Sequence, residues 1–84
     1  MVYYLLTCRS LTYAQKTVRA LERAGLTAIV VKVPREISAE GCGYSVRISE
    51  KWLSQALMTL KSAGLYPIRI FVKYDDGKLN EVRI

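Results

Sequence analysis

The 84-residue chain contains no histidine and only two cysteines, Cys8 and Cys42. The first absence removes the side chain that most often serves as general base and as metal ligand. With two cysteines and no imidazole, a structural zinc site within one chain is not expected, because such sites take four thiolate or imidazole ligands. Two cysteines are also too few for a disulfide framework. Acidic residues are scarce as well: seven stand against thirteen lysines and arginines, a formal net charge of +6. So basic a small chain suits an anionic partner, whether nucleic acid, an acidic protein or an anionic ligand. The cations are dispersed rather than gathered in a run, which weakens that signal. Long hydrophobic runs are missing too, although 51% of residues are hydrophobic, so no membrane span is expected. The opening MVYYLLTCRS lacks the positive start and the long apolar stretch of a signal peptide, and reads as a strand. The expectation is one domain over residues 1–84, in a cytoplasm, with its thiols reduced at rest.

What is present is a repeat. RALERAGLTAIVVKV (19–33) and MTLKSAGLYPIRIFVKY (58–74) each run from a helical stretch through Ala-Gly-Leu into a β-branched segment. Gly25 and Gly64 fall where a helix C-terminus takes a left-handed residue, with Leu26 and Leu65 closing the hydrophobic contact. Ser10 and Ser49 are placed to cap the helices at their starts. The first helix, about 11–24, sets Ala14, Val18 and Leu21 on one face; the second, about 50–63, does so with Leu53, Ala56, Leu57 and Leu60. Strands are expected at about 2–8, 27–33, 44–48 and 67–74. In the last, Ile68, Ile70 and Val72 alternate with Arg69, Phe71 and Lys73, so the first set should be buried and the second exposed. Asp76-Gly77 is a hairpin-turn signal, so 79–84 is expected to fold back as a fifth strand. The order β-α-β-β-α-β predicts an α+β, ferredoxin-like sandwich: an antiparallel sheet with two helices on one face and a C-terminal hairpin extension.

One stretch interrupts this regularity. PREISAEGCGYS (34–45) places Cys42 between Gly41 and Gly43. In the expected topology the first two strands are parallel, so the loops after them emerge at one edge of the sheet. Cys42 should then lie near Cys8 and near the start of the first helix, and the Tyr66-Pro67 linker should reach the same edge. Backbone N–H groups and the helix dipole favour an anion there, and Arg9 and Arg35 add charge. Such a setting raises the thiolate fraction of a cysteine. Gly41 and Gly43 are expected to bend the backbone sharply and leave the sulfur unshielded, and Pro34 to stiffen the loop's start. The plainer reading is a turn that contains a small apolar residue. Cys8, ending an apolar strand, reads first as a core residue, and second as a resolving thiol able to pair with Cys42 if the geometry allows.

SLTYAQKTVRALERAGL followed by VPREISAEGCGYSVRI resembles the family of small proteins described as selenium/sulfur carrier-like, over about residues 3–72. The most specific portion is Pro34-Arg35, then Ile37-Ser38, then Cys42-Gly43-Tyr44 leading into a strand. Three residues separate Ser38 from Cys42 here, where many members have two. The resemblance implies that Cys42, in a loop that includes Arg35, Ser38, Gly41 and Gly43, carries sulfur or selenium as a persulfide or selenopersulfide. It further implies a cysteine desulfurase or selenocysteine lyase as donor, an acceptor protein, no cofactor, and a carrier rather than a turnover enzyme.

Two alternatives stand beside it. Lys32, Arg47, Arg69, Phe71 and Lys73 could share an open sheet face, and cations interleaved with an aromatic suit single-stranded RNA. The third strand, YSVRI, lacks the aromatic-rich motif of the common RNA-binding sandwich, so a solvated or homodimer-forming face is the preferred reading of those residues. A ligand-sensing module is the other alternative, though no phosphate-cradling glycine loop supports a particular ligand. Trp52 is expected to pack against the sheet rim or a partner.

Overall fold

A continuous apolar run, Tyr3-Tyr4-Leu5-Leu6, builds the strand around which everything else assembles. The computed structural model describes residues 2–33 and 43–82. The strand β1 (Tyr3–Cys8) leads through Arg9-Ser10 into α1 (Leu11–Arg23), followed by β2 (Ala28–Lys32), β3 (Tyr44–Ser49), a single 3-10 turn (Glu50–Trp52), α2 (Leu53–Ala63), β4 (Arg69–Lys73) and β5 (Leu79–Val82). The strands form one sheet in the order β2-β3-β1-β4-β5. Every neighbouring pair is antiparallel. The first four positions are the ferredoxin-like arrangement, and β5 extends it beyond β4.

Register decides which residues meet the helices. Tyr4, Leu6 and Cys8 of β1 pair with Ile48, Val46 and Tyr44 of β3, and Ala28 pairs with Ile48. Because side chains alternate between faces, these residues share the side covered by α1 and α2. There Leu6, Cys8, Val46 and Ile48 are buried against Ala14 and Leu21 of α1 and Ala56 and Leu60 of α2. α1 turns Thr17 inward along with Ala14 and Leu21, while Val18 stays half-buried. The Thr17 hydroxyl donates to the Tyr13 carbonyl at 2.9 Å, which lets a polar side chain lie against the core.

The Ala-Gly-Leu repeat terminates both helices as expected. Gly25 and Gly64 adopt φ of 82° and 72°, a left-handed conformation that costs other residues about 1–2 kcal/mol. The Leu26 and Leu65 N–H groups donate to the Leu21 and Leu60 carbonyls at 3.0 and 2.9 Å, the closing bond of a Schellman turn. The helix starts differ. Ser10 Oγ accepts from Tyr13 N at 3.1 Å, whereas Ser49 makes no side-chain cap bond and precedes the 3-10 turn. Ser49 therefore does not cap α2, which begins at Leu53 rather than at 50. The 3-10 turn already occupies the first N–H groups with tighter bonds.

Strand β4 begins at Arg69, later than expected, since Pro67 has no N–H to donate and Ile68 N donates to the Thr7 carbonyl at 2.9 Å. The turn after it closes through Tyr74 N to Lys78 O at 3.0 Å and Gly77 N to Tyr74 O at 2.9 Å, with Gly77 at φ 85°. Asp76 Oδ1 accepts from Lys78 N at 3.0 Å. Asp76-Gly77 thus forms the expected hairpin, whose second strand ends at Val82 within the described residues.

Candidate functional site

Two parts of the molecule gather chemistry-bearing residues. The first is the edge where β1 ends. Val33 N donates to the Gly43 carbonyl at 2.8 Å, and Tyr44 pairs with Cys8. The 34–42 stretch therefore leaves and re-enters the sheet beside the end of β1 and the start of α1. Cys42, with Arg35, Ser38 and Gly41, lies outside the described residues. Gly43 is described. Its φ is not positive, and a Cβ built there meets nothing within 4 Å. A side chain at this position would therefore meet no steric obstacle among the described residues.

Around this edge the local structure is tightly tied. Ser10 caps α1, and no acidic residue occupies the helix's first turn, so its positive end meets no carboxylate of its own. Arg9 is exposed, with its guanidinium 5.0 Å from the Tyr13 ring centre. The Tyr13 hydroxyl donates to the Tyr66 carbonyl at 3.2 Å and accepts from Tyr66 N at 2.7 Å, bringing the Tyr66-Pro67 linker to this edge as expected. Thr7 Oγ1 accepts from Arg69 N at 2.8 Å and donates to Arg69 O at 3.1 Å. Cys8 lies inside, 1% exposed, with Sγ donating to the Leu6 carbonyl at 3.5 Å. Its burial makes it a core side chain, and an outside reagent reaches its sulfur only if the β1 end opens.

The second part is the sheet face that carries no helix. Register places Leu5 between Arg47 and Phe71, with Ile29 and Glu81 further out on the same row. Tyr3 and Lys73 follow on the next row. The expectation that Phe71 is exposed on this face needs correction. Phe71 is only 4% exposed, buried beneath Arg69, whose guanidinium lies 5.0 Å from its ring centre and is held by Glu81 at 2.7 and 3.3 Å. Lys32, at the end of β2, pairs with Tyr44, whose row alternation gives to the helix-covered side, yet as an exposed strand-end residue it still lines the groove on the open face. Ile68, expected buried, is 57% exposed because it precedes the strand.

Across the open face runs a groove of about 360 Å³, within the range of ligand-binding clefts. Its walls include Tyr3, Leu5, Val31, Arg47, Lys73 and Tyr74. A second hollow of about 190 Å³ adjoins it, sharing Tyr3 and Arg47 and reaching Ile29 and Trp52. Trp52 packs half-buried against the core rim, as expected, with Lys51 Nζ 5.3 Å from its ring centre. The alternation that exposes this face was legible in the sequence. The groove was not, because it depends on Arg47 folding over Tyr3, 4.6 Å from the ring centre.

Among the described residues no cluster of three or more histidine, cysteine, aspartate or glutamate side chains could hold a metal ion, and no helix is long and apolar enough to cross a membrane. No curated protein and no solved structure matches the chain. A family model described as "Putative Se/S carrier protein-like" matches residues 3–72, from the start of β1 to the penultimate residue of β4. The match takes in both helices, four of the strands and the Cys42 stretch, and the chain belongs to this Se/S carrier protein-like family.

Proposed function

We propose that Cys42 is the thiol on which this chain carries sulfur or selenium, as a persulfide or selenopersulfide. The family membership carries this reading. Around it stand the single cysteine of the 34–42 stretch, the exposed Arg9 and the capped start of α1 beside the end of β1. Arg9 and Arg35 supply cationic charge, Ser38 a hydroxyl, and Gly41 and Gly43 leave little side-chain bulk beside the sulfur. A cationic setting raises the thiolate fraction of a cysteine.

The chemistry asks little else of the protein. The Cys42 thiolate attacks the outer sulfur of a donor cysteine persulfide. The donor's S–S bond breaks, a new S–S bond forms on Cys42, and the donor leaves as thiolate, so neither oxidant nor reductant is consumed. No general base is needed once the thiolate exists, consistent with a chain that lacks histidine. A cysteine desulfurase or selenocysteine lyase is the donor this chemistry calls for, and an acceptor protein completes the transfer. Such a carrier works where thiols stay reduced, as in a cytoplasm.

Intact mass after incubation with a cysteine desulfurase and cysteine tests the reading. Wild type and Cys8→Ser should each gain one sulfur atom that a reductant removes, and Cys42→Ser should gain none. A gain retained by Cys42→Ser, or none in wild type, would return the 34–42 stretch to a simple connection.

A further inference from the structure

The open face of the sheet bears an arrangement that sulfur transfer does not use. Arg47, Tyr3 and Lys73 follow one another across β3, β1 and β4 on the same side of the sheet. Tyr3 and Lys73 share one row, and Arg47 leans over Tyr3 from the neighbouring row, so cation, ring and cation succeed one another along the groove. Past Arg47 the surface continues to Trp52, beside which Lys51 forms a second cation–ring pair. Arg47, Lys51 and Lys73 form no ion pair with a carboxylate among the described residues. Arg69, on the same face, is held by Glu81. Asp75 is the one carboxylate among the groove's lining residues, against the three cations Lys32, Arg47 and Lys73, so positive charge predominates along it.

We infer that this groove binds a single strand of nucleic acid, with phosphates at Arg47, Lys51 and Lys73 and bases against Tyr3, Trp52 and the Arg47 guanidinium. Phosphate neutralisation combined with flat stacking surfaces is the physical basis of single-strand binding. A lone nucleotide suits the site less well. Arg47 and Lys73 stand two strands and two residues apart, roughly 12 Å between Cα atoms at ordinary sheet spacings, whereas one phosphate group is a compact charge. Both helices pack on the opposite side of the sheet, so no helix N-terminus points into the groove, and no glycine-rich loop cradles a phosphate. The excess of positive charge over the whole chain, +6, steers polyanions toward it.

Fluorescence anisotropy with labelled twelve-nucleotide oligo(U) RNA and oligo(dT) DNA tests the inference on the intact chain. Binding to either should weaken with salt, and each phosphate contact contributes about 0.7 to the slope of log affinity against log salt. Arg47→Gln and Lys73→Gln should each lower affinity about fivefold and flatten that slope by about one contact's share. Arg69→Gln, which removes the same charge from the Glu81 pair, should leave the slope nearly unchanged. Lys73 is exposed, so its variant remains informative even if Arg47→Gln loses structure, which a thermal melt reports. Equal weakening by Arg69→Gln would reduce the effect to net charge and overturn the inference. So would the absence of binding, competition by uridine monophosphate as effective as by the oligomer, or equal affinity for duplex. The persulfide assay is independent of all these outcomes.

Discussion

Ser10 and Ser49 stand at corresponding points of the two halves of the chain, yet only Ser10 accepts a bond from the helix behind it. Losing an N-cap bond of this kind costs about 1 kcal/mol. Ser10→Ala should therefore lower unfolding free energy by about that amount in a urea titration, while Ser49→Ala should fall within about 0.5 kcal/mol of wild type. Equal costs at the two positions would mean that Ser49 caps in solution through a bond absent from this arrangement. The glycines divide in the same way. Gly64 at φ 72° should lose about 1 kcal/mol on replacement by alanine, from backbone conformation alone, since a Cβ there meets nothing within 4 Å. Gly43→Ala should leave the melting temperature unchanged. If it nevertheless slows sulfur loading of Cys42, the missing side chain serves access rather than folding.

At the scale of elements, the parts readable from sequence were those fixed by short-range chemistry. Ala-Gly-Leu ends a helix through bonds within six residues, and Asp76-Gly77 closes a turn within five. Both are local enough to announce themselves. The strand pattern around Phe71 misled because period-two alternation names two faces without saying how each is covered. Phe71 is buried on the side without helices, with the guanidinium of Arg69 over its ring. Lys32 follows neither face strictly: its register row is that of the helix side, yet it lines the groove on the other. The second half's helix start failed through a competing local structure, the 3-10 turn at Glu50–Trp52.

For the whole molecule, topology puts the two chemistry-bearing regions in different relations to the core. The end of β1, with Cys8 in the core and Arg9 outside it, lies beside the points where the Cys42 stretch leaves and re-enters the sheet. The groove uses the sheet's outer face, where a substitution such as Lys73→Gln changes charge without touching the packing between sheet and helices. A thiol variant and a groove variant should accordingly be separable, each losing one property while unfolding like wild type. The family assignment was legible from the Pro-Arg, Ile-Ser and Cys-Gly-Tyr spacings, whereas Cys42's surroundings lie outside the described residues.

The central position of β1 has a further consequence, in the order of synthesis. β1, made before its partners, pairs on one side with β3 and on the other with β4, Tyr3 lying opposite Lys73. Contacts so distant in sequence close late, after much chain entropy has been lost. A chain ending at Gly64 lacks β4 and leaves one whole edge of β1 unpaired, so it should show no cooperative unfolding transition by circular dichroism. During translation, β1 must therefore wait, its apolar side chains exposed, until β4 has been made.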